Sequence, residues 1–184
     1  MRDKTDQIIK ASISVFVDKG YLAATTKEIA LKANVAEVTL YRKFSTKQNL
    51  FEASVKSITE NRFSSVLKFQ GGIRMFDFFK ELLNNRLLVV SKNIKVVRML
   101  ISESLAGNLP KELRFTQVIF NNVSLSVKKY FEVNKINLDY EAYAKVVGGI
   151  LLGYAILPNE KLYYRMNHEQ QEEYLNKYLE IIIK

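Results

Sequence analysis

Apolar residues recur along this chain at the three- and four-residue spacings of amphipathic helices, as Ile9, Ile13 and Phe16 do in the first segment. The pattern predicts helices over about residues 4–19, 26–32, 36–43, 46–69, 73–91, 94–106, 110–132 and 139–157, and a last one from about 168 to the C-terminus. No two segments alternate as the strands of a hairpin would. We therefore expect an all-α fold of about nine helices.

Residues with special backbone or capping properties mark several helix ends. Gly20 suits the left-handed conformation that closes a helix, and Asn34 is one of the few other residues that tolerates it. The segments 25–28 and 45–48 have the pattern of capping boxes, in which a hydroxyl and a side chain three residues later cap each other's backbone amides. Pro110 suits the first turn of a helix.

Two of the predicted helices are short and adjacent, which is typical of a helix-turn-helix. In the second, at 100° per residue, Leu40 and Phe44 face inward and Val38 and Arg42 face away, with Thr39 and Tyr41 on the flanks. Guanidinium, hydroxyl and apolar groups are the side chains that read bases in the major groove. We expect residues 1–46 to form a DNA-binding domain and residues 47–184 a second, helical domain.

Thr26 and Lys47 lie in the first turns of the helices on either side of this reading helix. The free amides and positive dipole end of a helix N-terminus attract phosphate. Both residues are therefore candidates for contacts that fix the register on DNA without reading its sequence.

The charge is consistent with an anionic partner: the net charge is +9 and residues 1–50 hold nine basic against five acidic residues. The chain has no cysteine and one histidine, His168, and shows no phosphate-binding glycine loop or metal-ligand spacing. We expect no enzyme activity, catalytic residue, metal or cofactor. The polar N-terminus and the absence of a long apolar run predict a soluble, cytoplasmic protein without a membrane partner.

Residues 8–50 resemble the DNA-binding domain of the TetR family of bacterial regulators. The resemblance is carried, without gaps, by Ala11, Phe16, Gly20, Thr26, Ile29, Ala30, Ala33, Val35, Thr39, Leu40, Tyr41, Phe44, Lys47 and Leu50. The chain departs from the family pattern at two positions: Asn34 replaces the usual glycine, and Ala36 replaces a Ser or Thr cap worth about 1 kcal/mol.

The resemblance implies a role for each matching residue of the helix-turn-helix. The residues expected to face bases are Glu37, Val38, Thr39 and Arg42. Those expected to contact phosphates are Thr26, Tyr41, Lys43 and Lys47.

The resemblance also implies a homodimer built from the last two long helices, and a ligand cavity in the middle of the chain. The expected interface residues, which recur at helical spacing, are Tyr140, Ala144, Val147, Leu151, Ala155, Tyr174, Tyr178 and Ile182. Gly148, Gly149 and Gly153 are costly within a helix unless close backbone approach or ligand space requires them. The expected cavity residues are Phe76, Phe79, Met99, Phe115, Phe120 and Tyr143, although any of them could equally be core.

The helix-turn-helix predicts a sequence-specific regulator of transcription, and the resemblance implies a repressor that a small hydrophobic effector releases from a palindromic operator in double-stranded DNA. The alternative is a helical scaffold protein that organises DNA without ligand control. A regulator should occupy one or a few palindromes, whereas a scaffold should occupy many sites.

Overall fold

The computed structural model describes residues 4–63, 67, 69, 71–110 and 113–183, and only the backbone of 61, 62, 115 and 116. This part contains no strand, which confirms the all-α prediction, and no helix long and apolar enough to cross a membrane. Its α-helices are α1 (Thr5–Ala23), α2 (Thr26–Lys32), α3 (Glu37–Phe44), α4 (Lys47–Arg62), α5 (Met75–Lys92), α6 (Ile94–Leu105), α7 (Phe115–Val133), α8 (Tyr140–Ile156) and α9 (His168–Ile182). A 3-10 helix (Tyr163–Arg165) precedes α9.

Three helix ends differ from the prediction. The helix α4 ends at Arg62 rather than near residue 69, and the Leu67 amide donates 3.3 Å to the Ser126 hydroxyl instead of to a helical carbonyl. The helix α7 begins at Phe115 rather than at Pro110, and the Pro110 carbonyl instead accepts from the Leu113 amide at 3.0 Å. The N-cap of α4 is Thr46, whose hydroxyl accepts from the Asn49 amide, and not the preceding serine.

The chain packs as two compact units. Unit 1 comprises Met1–Phe63 with Arg98–Gln117, and unit 2 comprises Ser64–Val97 with Val118–Lys184. Unit 1 therefore continues through α4 and includes most of α6. A functional boundary between residues 46 and 47 stays a prediction.

The core of unit 1 forms where α1 crosses α4. The rings of Phe16 and Phe51 meet edge to face with centroids 4.8 Å apart, and neither is exposed. The hydroxyl oxygens of Ser12 and Ser54 lie 2.6 Å apart, and each also lies within donating distance of a carbonyl of its own helix. These small residues allow the two helices to approach closely while every buried hydroxyl keeps a partner.

The end of α1 is bent at Gly20, which has φ 75° and so occupies the left-handed region that the sequence predicted. Glu103 of α6 lies beside this bend, buried, and one of its oxygens accepts from the Tyr21 amide at 2.9 Å. Its other oxygen accepts from the Asn108 side chain at 2.6 Å. Gln48 of α4 donates to the Asn108 carbonyl, so α4, α6 and the end of α1 are joined by one network.

The connection from α1 to α2 is also held by Lys47. The ammonium lies 3.0, 3.3 and 3.2 Å from the carbonyl oxygens of Tyr21, Leu22 and Ala24, and 4.6 Å from the centre of the Tyr21 ring. An ammonium has three protons, and this geometry uses all three. The segment between α1 and α2 is thereby fixed to the first turn of α4.

The core of unit 2 is aromatic. The rings of Phe78 on α5 and Tyr130 on α7 stack with centroids 4.0 Å apart and planes 7° apart. The Tyr130 hydroxyl donates to the Ile73 carbonyl at 2.8 Å, and burial raises the pKa of this phenol. The helix α5 also packs against α8, α9 and the 3-10 helix, so it is the central element of this unit.

We predict that Lys47→Met destabilises the protein by about 1–3 kcal/mol, because it removes charge-assisted hydrogen bonds and leaves partly buried carbonyls unpaired. Urea unfolding followed by circular dichroism measures the change. Lys27→Met, on an exposed residue of α2, is the matched control and should stay within about 0.5 kcal/mol of wild type. Equal stability of the two variants would contradict the role assigned to Lys47.

Candidate nucleic-acid interface

The helix α3 has one buried and one exposed face, as predicted. Leu40 is fully buried and Phe44 is half-buried, so these residues fix the helix on unit 1. Val38 is 73% exposed, and Arg42 and Lys43 are also exposed. An apolar group and two cations therefore project outward from one short, well-anchored helix.

The turn from α2 to α3 has the tight geometry of a helix-turn-helix. Asn34 has φ 48°, so asparagine takes the left-handed conformation expected at this position. Beyond it, the Val35 amide donates to the Ala30 carbonyl at 3.0 Å. Ala36 is the N-cap of α3 and provides no side-chain hydrogen bond, which confirms that the usual cap is missing.

The first turn of α2 is fixed by the predicted capping box. The Thr25 hydroxyl accepts from the Glu28 amide, and the Glu28 carboxylate accepts from the Thr25 amide. Lys19 also hydrogen-bonds to Glu28, and this contact is the main reason that the pKa of the carboxyl is lowered. The next residue, Thr26, is thereby held in a defined position.

Thr26 connects the two helices through its side chain. Its hydroxyl donates to the Glu37 carboxylate at 2.6 Å and lies 3.2 Å from the Tyr41 hydroxyl. Thr26 is buried, Glu37 is half-buried and Tyr41 is 45% exposed. The structure therefore brings together one residue expected to read bases and two expected to contact phosphates.

The other residues expected to contact DNA are more dispersed. Lys43 donates to the Thr5 hydroxyl at 2.9 Å, which places it beside the beginning of α1, and Thr39 is half-buried. A phosphate contact by Lys47 stays a prediction, and such a contact would compete with its three carbonyl partners.

Two of the residues expected to line a ligand cavity, Phe79 and Met99, lie in the core, and three others are half-buried or exposed. Phe79 is fully buried and stacks on Tyr143 with centroids 5.5 Å apart in unit 2, where Phe120 is half-buried and Phe76 is 39% exposed. Met99 is buried in unit 1. The side chain of Phe115 lies outside the described residues.

The interface expected on α8 stays a prediction, and most of its residues are buried within the single chain. Ala144, Val147, Leu151 and Ala155 are each at most 2% exposed within a single chain, as part of the core of unit 2, and Ile182 of α9 is also buried. They offer almost no surface to a partner, because the same helical periodicity describes a face that packs inside one subunit. Only the remaining three, Tyr140, Tyr174 and Tyr178, are half-buried.

A different face of α8 and α9 lines an open groove of about 850 Å³. Its walls include Val146, Gly149 and Gly153 of α8, the C-cap residue Leu157, and Tyr174 and Tyr178 of α9. The sequence signal for this face was the pair of glycines four residues apart. A methyl group built on either glycine would meet no atom within 4 Å.

Metal binding has no support among the described side chains, since no three potential His, Cys, Asp or Glu ligands lie together there. The burial of Tyr163 raises the pKa of its phenol, but its hydroxyl donates to Asn84 at 2.8 Å and is part of the packing of unit 2.

Three comparisons with known proteins relate the chain to bacterial regulators. Residues 8–54 match the family model described as bacterial regulatory proteins, tetR family. The chain is 43% identical over 84 residues to the uncharacterized HTH-type transcriptional regulator YvkB of Bacillus subtilis, and this match covers 46% of the chain and 42% of that relative. It is 23% identical over 148 residues, 77% of each protein, to IcaR of Staphylococcus aureus, described as a negative transcriptional regulator of the biofilm operon icaADBC.

The whole fold is similar to that of a solved regulator. The structure of the transcriptional regulator FadR from Bacillus subtilis in complex with stearoyl-CoA superposes with a TM-score of 0.65 over 97% of both chains, at 16% sequence identity. The matched family model spans α2, the turn at Asn34 and α3, which is the segment whose geometry is described above. Residues 8–54 therefore belong to the tetR family of bacterial regulatory proteins, and the remainder of the chain shares the fold of solved regulators.

Proposed function

We propose that this protein is a dimeric, sequence-specific DNA-binding repressor, which a small hydrophobic effector releases from a palindromic operator. The observation that carries this proposal is α3, whose buried side is fixed by Leu40 while Val38 and Arg42 project from the other side. Arginine donates two hydrogen bonds to guanine, and an apolar group fits the thymine methyl. The negative regulation in the description of IcaR supports repression.

The net charge of +9 supports binding to DNA, because attraction to phosphates provides most of the sequence-independent affinity. Lys43 is the exposed cation of α3 best placed for such a contact, beside Thr5 at the beginning of α1. Base reading is therefore assigned to Arg42 and phosphate binding to Lys43.

Dimerisation through α8 and α9 is supported by the exposed apolar face of α8. Ile156 and Leu157 are 60% and 62% exposed, and Val146 is 43% exposed. Glycine within a helix costs about 1 kcal/mol relative to alanine, and close approach of a partner helix accounts for Gly149 and Gly153 on this face. A two-fold dimer also matches the two half-sites of a palindrome.

Effector binding is proposed for unit 2 on two grounds. The unit has an aromatic interior in which Phe79 of α5 contacts Tyr143 of α8, and the similarly folded FadR was solved with stearoyl-CoA. An apolar ligand inserted at this contact would separate the two rings and shift α5 relative to α8. The bound ligand would then lower DNA affinity by the same factor by which DNA lowers ligand affinity.

We predict that the wild-type chain selects one or a few palindromes from genomic fragments. Arg42→Ala should relax the preference at one base pair in each half-site, since it removes a bidentate contact. Lys43→Met should lower the affinity for all sequences by the same factor and reduce the slope of log affinity against log salt by about 1. Sequencing of bound fragments and fluorescence anisotropy at several salt concentrations measure both effects. Occupancy of many unrelated sites would favour the DNA scaffold instead.

We predict that Gly149→Gln converts the dimer into a monomer at micromolar concentration, because the added side chain fills the space reserved for the partner helix. The substitution meets no atom of its own chain near Cβ, so the subunit should still fold. Gly71→Gln, elsewhere in unit 2, is the control and should remain dimeric. Analytical ultracentrifugation reports the mass, and a dimeric Gly149→Gln variant would exclude this face as the interface.

We predict that a long-chain acyl-CoA weakens operator binding by about 5- to 150-fold, the usual range of coupling between two sites. Titration of the protein–operator complex measures the change, and coenzyme A without an acyl chain is the matched control. If neither acyl-CoAs nor a broad set of hydrophobic ligands changes operator affinity, ligand control must be abandoned while DNA binding stands.

A further inference from the structure

The hydroxyl of Thr26 has one proton, and its short hydrogen bond assigns that proton to Glu37. The oxygen–oxygen distance is 2.6 Å, and an ionised carboxylate only accepts. The Tyr41 hydroxyl, 3.2 Å from the same Thr26 oxygen, must then be the donor of the second hydrogen bond. The three side chains form a directed chain, from Tyr41 to Thr26 to Glu37.

This directed chain changes the roles expected for Thr26 and Tyr41. A phosphate needs hydrogen-bond donors. The single hydroxyl proton of Thr26 is already donated to the Glu37 carboxylate, and the hydroxyl proton of Tyr41 is donated to Thr26. A phosphate at this position would also be repelled by Glu37. The arrangement is suited to holding the carboxylate, not to replacing it with a phosphate.

From this geometry we infer that Glu37 selects cytosine at one base pair of each half-site, and that Thr26 and Tyr41 are positioning residues for its carboxylate. The inference rests on the proposed operator binding. Glu37 is the first residue of α3, and Thr26 is the first residue of α2, fixed there by the Thr25 capping box. The reading group is thus attached to both helices of the helix-turn-helix.

The chemistry of the base edges decides which base a fixed carboxylate prefers. In the major groove cytosine presents the N4 amino donor, whereas guanine presents only acceptors and thymine an acceptor and a methyl group. Adenine has a donor, but its N7 acceptor lies beside it and disfavours an acceptor-only partner. Thr26 occupies Oε1 of Glu37, so Oε2 remains to accept from cytosine.

Positioning matters because glutamate has a flexible side chain. A free carboxylate near DNA would turn away from the phosphates and lose its discrimination between bases. The hydrogen bond from Thr26 keeps it in place, so that less rotamer entropy is lost on binding. A negative group in a basic interface lowers affinity for wrong sequences more than it raises affinity for the right one.

The test measures operator affinity for the full-length chain with every base pair of the selected palindrome substituted in turn. Glu37→Gln keeps an acceptor for Thr26 but adds a donor, and glutamine pairs with adenine. We expect its preference to change from cytosine to adenine at one symmetric position, by about 5- to 150-fold, with the other positions unchanged.

Two variants test positioning. Thr26→Val removes the donor at nearly constant volume and should reduce the cytosine preference several-fold at that same position, whereas Thr26→Ser retains the hydroxyl and should restore it. Tyr41→Phe should have a smaller effect at the same position. Asp18→Asn is the matched control, because it removes one negative charge at an exposed residue of α1 and should leave every base preference unchanged.

The outcomes separate this inference from the proposed function. If the wild type selects no sequence, both fail. If it selects a palindrome but Glu37→Gln changes no base preference, the reading role of Glu37 is overturned while operator binding stands. If Thr26→Val weakens all sequences equally and lowers the salt slope, Thr26 is a phosphate contact and its positioning role is overturned. Circular dichroism checks that each variant is folded before its affinity is measured.

Discussion

The helix-turn-helix depends on how the polypeptide leaves α1. At that point Gly20 turns the backbone, and the carbonyls that follow can no longer be satisfied by the helix. The Lys47 ammonium binds three of these carbonyls, and the Glu103 carboxylate accepts the Tyr21 amide. Charged partners make these the strong class of hydrogen bond. Because α2 begins just after this segment and α3 packs on α2, the orientation of the DNA-facing surface follows from it.

Local signals in the sequence predicted most helix positions and the special turns, because caps and left-handed residues act within four residues. Asn34 and the Thr25 capping box are examples. The errors occur where a distant residue decides the outcome. The Leu67 amide binds Ser126, 59 residues away, so no local pattern could place the end of α4. A phosphate contact by Lys47 stays a prediction, but its bonds to carbonyls more than 20 residues earlier could not be read from a local pattern either.

Periodicity predicted that α8 has an apolar face but not which partner it meets. Ala144 and Val147 repeat at helical spacing and are buried within one subunit. The other face carries Gly149 and Gly153, which destabilise an isolated helix and gain nothing from the core of their own chain. Costly residues on an exposed face therefore support the proposed interface more strongly than the more regular apolar repeat does. A regular apolar repeat is expected for packing within a subunit and for packing between subunits. A glycine that destabilises its helix without improving packing inside the subunit instead suggests contact with another molecule.

The beginning of α3 places base reading and phosphate binding in competition for the same protons. If Thr26 turned to a phosphate, Glu37 would lose its donor, and the carboxylate and phosphate would then repel each other across a few ångströms. The Thr26 hydroxyl is not needed for attraction to DNA, because the net charge of +9 already attracts the phosphates. The hydroxyls of Thr26 and Tyr41 can therefore serve an acidic group within a basic protein. In the proposed mode of recognition, long-range attraction and base selection rest on different residues, so either can change without loss of the other.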